Sequence, residues 1–229
     1  MSYITAVIPA AGRGTRMKAS CNKQFLMLRK KPILIHTLEV FEKCKLVNDI
    51  ILVSSPGEED FCGSLLQKYD LKKVTRVVTG GSERLHSVAS GLNQVSEDCD
   101  IVAVHDGARP LMLLSLLEEV LNAVAEYDGA ILAVPVKDTI KETINGHIIK
   151  GTLDRSQLWA AQTPQVFKKD VLTYVYKKAL EEGITGTDDA SLVEYYGYKI
   201  KVVPGSYENI KITTPVDLDL AELILKRRG

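Results

Sequence analysis

The sequence predicts an α/β fold in which a mostly parallel sheet is covered by helices on both faces, and three observations carry that prediction. Short β-branched runs alternate with stretches of helical period, the order that builds successive βαβ units. The runs are apolar at nearly every position instead of alternating, as strands buried on both faces are. After Pro135 the helical period stops, and polar and β-branched residues alternate as far as Trp159, so an arm leaves the main body there.

The first strand is expected at 4–9, where Ile4-Thr5-Ala6-Val7-Ile8-Pro9 runs into Ala10-Ala11-Gly12-Arg13-Gly14. A helix over 33–44 follows, with Pro32 presetting its start and Leu34, Leu38 and Phe41 on one face. Strands near 49–54, 74–78, 100–104 and 129–135 then alternate with helices near 58–69, 83–95 and 113–127. Ser82 is placed to cap the helix beginning at Glu83. The arm turns at Asn145-Gly146, a dipeptide that tolerates the left-handed conformations of a tight hairpin. An isolated two-stranded ribbon is marginally stable, so the arm is expected to find a partner surface, most simply the same arm of a second copy; a homodimer follows. The chain returns with a helix near 169–182, another opened by Thr187, and strands near 199–203 and 210–213. Its last helix follows Thr214-Pro215, capped by Thr214 with Asp217 and closed by Lys226, Arg227 and Arg228. Together these elements predict one Rossmann-like domain over 1–229, with the β-arm at about 136–159 as a dimerisation subdomain.

Charge and composition exclude several functions. Lys plus Arg equals Asp plus Glu at 29 each, so no global basic field exists to hold nucleic acid or an anionic membrane. The longest apolar runs, such as Ala130 to Val136, are too short to span a bilayer. Cys21, Cys44, Cys62 and Cys99 form no C-x-x-C pair and the four histidines no ligand pattern, so neither a disulfide framework nor a zinc site is expected. A soluble, unprocessed protein of a reducing cytoplasm is the reading that fits.

Positive charge is instead local. Arg13, Arg16, Lys18, Lys23, Arg29, Lys30 and Lys31 all precede the first acidic residue, Glu39. A buried strand that breaks into small residues and glycines lets backbone N–H groups approach a ligand, and unopposed bases around it favour a polyphosphate. Two known glycine motifs fail here. A dinucleotide fingerprint needs a third small residue where Met17 stands and an acid where Val53-Ser54-Ser55 stands, and a P-loop needs Gly-Lys-Ser/Thr. The plain alternative is an ordinary connection with solvated charges, which the unbroken basic run disfavours.

The loop Pro9-Ala10-Ala11-Gly12-Arg13-Gly14-Thr15-Arg16-Met17, followed by Lys23-Gln24-Phe25, resembles the signature of nucleotidyltransferases that activate small phosphorylated alcohols and sugars. In particular it resembles the 2-C-methyl-D-erythritol 4-phosphate cytidylyltransferase family. The likeness continues through Gly80-Gly81-Ser82-Glu83-Arg84, Val104-His105-Asp106-Gly107-Ala108-Arg109-Pro110, Asp154-Arg155 with Leu158-Trp159, Gln162-Thr163-Pro164-Gln165, Thr187-Asp188-Asp189-Ala190-Ser191 and Asn209-Ile210-Lys211-Ile212-Thr213. Each segment is weak alone; their order is specific. Gly107, where alanine is frequent, and Thr15, where a second base occurs, depart from the pattern without removing a charged position.

The resemblance implies attack of a phosphate oxygen on the α-phosphorus of CTP, with pyrophosphate leaving in line. That chemistry needs positioning and charge neutralisation, not a covalent nucleophile. It gives Arg16 and Lys23 the role of stabilising the transition state, Arg16 as a two-pronged grip and Lys23 as a point charge. Pro9, Ala10, Ala11, Gly12 and Gly14 would hold the nucleotide phosphates, and Gly80, Gly81, Arg84 and Ser87 the base. Arg155, Thr163, Thr187 and Lys211 would hold the polyol phosphate, Arg155 reaching in from the partner's arm, with Arg109 on the substrate side. Two readings remain for Asp106 beside that of a turn residue: a ligand of Mg²⁺ or another divalent cation bridging the phosphates, or a partner of substrate or ribose hydroxyls. Ribitol 5-phosphate cytidylyltransferase is the nearest alternative, and a nucleotide-binding module without catalysis the more distant one.

Overall fold

Residues 2–12 and 22–229 are described by the computed structural model. β1 (Ile4–Pro9) is buried almost throughout and ends at a proline, which has no N–H to continue a ladder. A 3-10 turn (Lys23–Phe25) and a short antiparallel pair, β2 (Met27–Leu28) and β3 (Lys31–Pro32), lead into α1 (Ile33–Lys43). Leu34, Leu38 and Phe41 are buried on one face of α1, as their spacing requires. The alternation continues with β4 (Asp49–Ser54), α2 (Glu59–Lys68), β5 (Val74–Thr79), α3 (Arg84–Leu92), β6 (Ile101–Val104), α4 (Leu114–Ala123) and β7 (Gly129–Pro135). The arm is β8 (Lys141–Ile144) and β9 (Ile148–Thr152); its turn holds Asn145 and Gly146 at φ 51° and 75°. β10 (Trp159–Lys168), α5 (Lys169–Glu182), α6 (Asp189–Tyr195), β11 (Ile200–Pro204) and α7 (Pro215–Arg227) complete the chain.

The central sheet has the order β11-β7-β10-β6-β1-β4-β5, with β10 antiparallel to both neighbours and every other pair parallel. α1, α2 and α4 bury Leu38, Cys62 and Leu117 against one face, while α3, α5 and α6 bury Val88, Val175 and Leu192 against the other. α7 packs Ala221 and Ile224 on Leu28, Ile33 and Ile212. β1 pairs with β4 on one side and β6 on the other, so the chain departs from it in two directions. The carboxyl ends of β1 and β6 therefore border the topological switch point, where open α/β sheets bind ligands.

Four expectations are corrected. β10 was not expected, because Pro164 argues against a central strand and Gln162, Thr163 and Gln165 interrupt the apolar pattern. All three polar side chains are nevertheless buried and hydrogen-bonded, and the ladder register shifts between Ala161 and Gln165 around the proline. Residues 210–213 form no strand: Ile212 N–H donates to Ala108 C=O at 2.9 Å, pairing this segment with the loop after β6. Ser82 does not cap α3, whose N-cap position is Glu83 without a side-chain bond. Thr187 does not open α6; Asp188 does, in a capping box with Ser191.

Candidate active site

A cavity of about 890 Å³ opens at the carboxyl ends of β1, β4, β5 and β6. Pro9, Ala10, Ala11 and Gly12 line it from β1, Ser55 from β4, Gly80 and Gly81 from β5, and Asp106, Gly107 and Ala108 from β6. Backbone bonds tie these strand ends together: Ala10 N–H donates to Val53 C=O at 2.7 Å, Gly80 N–H to Ser54 C=O at 2.8 Å and Gly107 N–H to Pro9 C=O at 3.1 Å. Gln24, buried behind Lys23, donates its side-chain amide to Ala10 C=O at 2.6 Å, which fixes the returning loop to the floor. Gly80 has a steric reason to be glycine. A Cβ there would lie 2.6 Å from the Ala11 Cβ and 2.9 Å from the Ser87 hydroxyl.

Asp106 is the electrostatic centre of the cavity. Lys211 Nζ stands 2.9 Å from its Oδ2, Arg109 Nε 3.3 Å from the same oxygen, and Arg84 Nε 3.7 Å from Oδ1. Burial alone would raise this carboxyl, but the charges of Lys211, Arg84 and Arg109 overcome it and hold the group well below the usual carboxylate range. Behind it runs a polar chain whose proton positions follow from its ends. Arg109 C=O can only accept, so His105 Nε2 carries the proton and donates at 3.2 Å; Nδ1 then accepts from the Thr163 hydroxyl at 3.1 Å. The Thr163 oxygen in turn accepts from Asp106 N–H at 3.1 Å. Burial pushes the His105 imidazole down to about 4, so it stays neutral and this chain keeps its direction at physiological pH.

A basic-walled cavity at the switch point, with one carboxylate held by Lys211 and Arg109 and a third cation, Arg84, standing 3.7 Å off, suits an anionic ligand carrying hydroxyls. Comparison with known proteins decides which class. The family model described as 2-C-methyl-D-erythritol 4-phosphate cytidylyltransferase matches residues 4–227. A relative of that name from Alkaliphilus metalliredigens is 51% identical over 228 residues, covering 99% of this chain and 95% of its own. Another from Caldanaerobacter subterraneus subsp. tengcongensis is 48% identical, covering 98% and 99%. The crystal structure of 4-diphosphocytidyl-2C-methyl-D-erythritol synthase from Anaerococcus prevotii superposes with a TM-score of 0.88 at 34% identity, covering 99% of this chain and 97% of that one. The chain belongs to the 2-C-methyl-D-erythritol 4-phosphate cytidylyltransferase family. It is a nucleotidyltransferase enzyme.

The residues expected of such a cytidylyltransferase divide into three groups. Pro9, Ala10, Ala11, Gly12, Lys23, Gly80, Gly81, Arg84, Ser87, Asp106 and Lys211 all line the cavity. Gly14 and Arg16 lie outside the described residues. The others do not line it. Arg109 donates to Asn209 C=O at 2.8 Å and stands 3.3 Å from Asp106 Oδ2, and the buried Thr163 accepts from Asp106 N–H at 3.1 Å, so both contact Asp106. Thr187 is exposed beside α6, and Arg155 is exposed on the arm, donating to Lys137 C=O at 2.8 Å.

Several polar side chains that brace the cavity were not singled out in the sequence. Gln24, His105, Gln162, Asn209 and Asp189 are all buried polar groups, and each sat inside a motif whose neighbour carried the obvious chemistry. Asn209 donates to Thr163 C=O at 2.9 Å and to the Gln162 side-chain oxygen at 3.2 Å, which fixes the segment carrying Lys211. Among the described residues no group of three His, Cys, Asp or Glu side chains could hold a metal, and no helix is long and apolar enough to cross a membrane.

Proposed function

We propose that this cavity transfers a cytidylyl group from CTP to 2-C-methyl-D-erythritol 4-phosphate, giving 4-diphosphocytidyl-2-C-methyl-D-erythritol and pyrophosphate. The observation that carries the proposal is the convergence of Lys23, Arg84 and Lys211 with Asp106 on one cavity at the switch point, in a chain matched by the family model over residues 4–227. A phosphate oxygen of the acceptor forms a bond to the α-phosphorus, and the bond from that phosphorus to the bridging oxygen of the leaving pyrophosphate breaks. Charge builds on the non-bridging oxygens, and fixed cations stabilise it without having to reorganise.

The roles follow from position. Gly12 and Lys23 line the part of the cavity that would take the triphosphate, the role that the resemblance also gives Gly14 and Arg16; Gly80, Gly81 and Ser87 line the part that would take the base. Ser87 donates its hydroxyl to Glu83 C=O at 3.0 Å, which holds its oxygen in that part. Lys211 opposes the charge of the acceptor phosphate, joined by Thr187 and by Arg155 of a second copy, since within its own chain Arg155 points elsewhere. The donor set fits a magnesium ion that arrives with the nucleotide: such an ion favours one or two carboxylates plus phosphate oxygens, and the Asp106 carboxylate lines the cavity. When bound, the ion would neutralise phosphate charge, with Asp106 holding it from the protein side.

The exposed Ile144, Ile148, Ile149, Leu153 and Trp159 of the arm support a homodimer through that surface, and the buried thiols of Cys44, Cys62 and Cys99 suit a reducing cytoplasm. Phosphorus NMR of an incubation with CTP, the acceptor and magnesium tests the reaction. Resonances of a new diphosphate diester together with pyrophosphate are expected, and CTP left intact would refute it.

A further inference from the structure

Asp189 lies outside the cavity, fully buried in the first turn of α6, yet it grips a residue that lines the cavity. Both terminal nitrogens of Arg84 engage it, Nη1 to Oδ1 at 2.8 Å and Nη2 to Oδ2 at 2.6 Å, the bidentate geometry that fixes a guanidinium in direction as well as place. Tyr176 on α5 donates its hydroxyl to Asp189 Oδ1. α6 itself is pinned from β10, because Gln165 donates to Asp188 Oδ2 at 2.6 Å and accepts from Ala190 N–H at 2.9 Å. The carboxylate is clamped, and so is the guanidinium.

The consequence falls on Asp106. With Nη1 and Nη2 committed, only Nε of Arg84 faces Asp106, and it stops 3.7 Å from Oδ1, while Lys211 and Arg109 crowd Oδ2. We propose that Asp189 is a positioning residue for cytidylyl transfer: it holds Arg84 away from Asp106 and so keeps Oδ1 open to the ligand. The inference rests on the reaction assigned above. Without the Asp189 charge, Arg84 has one carboxylate left within reach and closes on it, placing a third cation where a sugar hydroxyl or divalent ion is to bind.

Steady-state kinetics with CTP and methylerythritol phosphate test this in four variants beside the wild type: Asp189→Asn, Arg84→Gln, the two combined, and Tyr176→Phe. Asp189→Asn raises the KM for CTP about tenfold with kcat within about threefold, the split expected when binding geometry and not the chemical step is disturbed. Adding Asp189→Asn to Arg84→Gln raises KM no further than Arg84→Gln does alone, because without the guanidinium Asp189 has nothing to position; two independent structural losses would multiply. Tyr176→Phe keeps both charges and should fold, and it shows the same signature at about threefold in KM. An unchanged KM in Asp189→Asn, or a double variant whose defect is the product of the singles, overturns the proposal. Where Asp189→Asn loses its cooperative unfolding transition, Tyr176→Phe decides: a lowered Tm with wild-type KM leaves the cluster merely structural. If the wild type itself releases no pyrophosphate from CTP, the assigned reaction has failed and not the role of Asp189.

Discussion

Lys23 and Lys211 reach one cavity from opposite ends of the chain, and their contributions separate by what each opposes. Lys23→Ala is expected to lower turnover by ~10²–10³, the usual loss for one preorganised donor, with stability within about 0.5 kcal/mol of wild type. Parallel losses of Tm and activity would make Lys23 structural. Lys211→Ala removes a cation 2.9 Å from Asp106, so the KM for the polyol phosphate should rise far more than that for CTP. His105 makes a prediction about pH. Its folded value lies near 4 and its ordinary value is 6.5, so between them the unfolded chain binds a proton that the folded chain refuses. Stability is therefore full above pH 6.5 and falls by about 3 kcal/mol as pH drops toward 4; burial lowers His36 as well, which steepens the loss. Urea midpoints at pH 7, 5 and 4 should decline accordingly, and His105→Gln should flatten the decline. Cations were legible in the sequence because a polyphosphate demands them. The residues that aim them were not, since Asp189 meets Arg84, and Asn209 meets Thr163, only after the chain has folded.

At the scale of elements, α7 is held by one carboxylate. Asp217 Oδ2 accepts from Thr213 N–H, the Thr213 hydroxyl, Thr214 N–H and the Thr214 hydroxyl, all within 2.8–2.9 Å. Burial would raise this carboxyl, and those bonds lower it instead. Asp217→Ala is expected to cost about 1–2 kcal/mol, the upper range for losing a cap, and to raise the acceptor KM because the same bonds end the segment bearing Lys211. A stability loss with kinetics unchanged would separate the cap from the site. α3 sits so close to the sheet that a Cβ on Gly91 would lie 2.5 Å from Val7 Cγ1 and 3.0 Å from Val53 Cγ2. Gly91→Ala should therefore cost about 1–3 kcal/mol by overpacking, read as a lowered urea midpoint. Helices such as α1 and the buried strands were readable because period and burial agree in them. β10 was not, because its polar residues are satisfied by Asp188, Ser206 and His105, partners no local pattern announces.

For the whole molecule, the switch-point topology fixes where the cavity opens, and the arm bears on whether one chain suffices. Ile148 and Ile149 are 65% and 62% exposed on a ribbon that buries little of itself. Ile148→Glu with Ile149→Glu is expected to convert a dimer to monomers in sedimentation velocity and to lower turnover with it, because Arg155 would no longer reach a second cavity. A monomeric wild type of full activity would remove both claims. The architecture was legible from the βαβ order, and the acceptor was suggested only by resemblance, since no single spacing encodes a polyol. The most direct test is thus pyrophosphate release measured for CTP, UTP and ATP crossed with 2-C-methyl-D-erythritol 4-phosphate and ribitol 5-phosphate. CTP with methylerythritol phosphate should give the highest kcat/KM of the six pairs. Faster turnover with ribitol phosphate, or no release with any pair, would contradict the account.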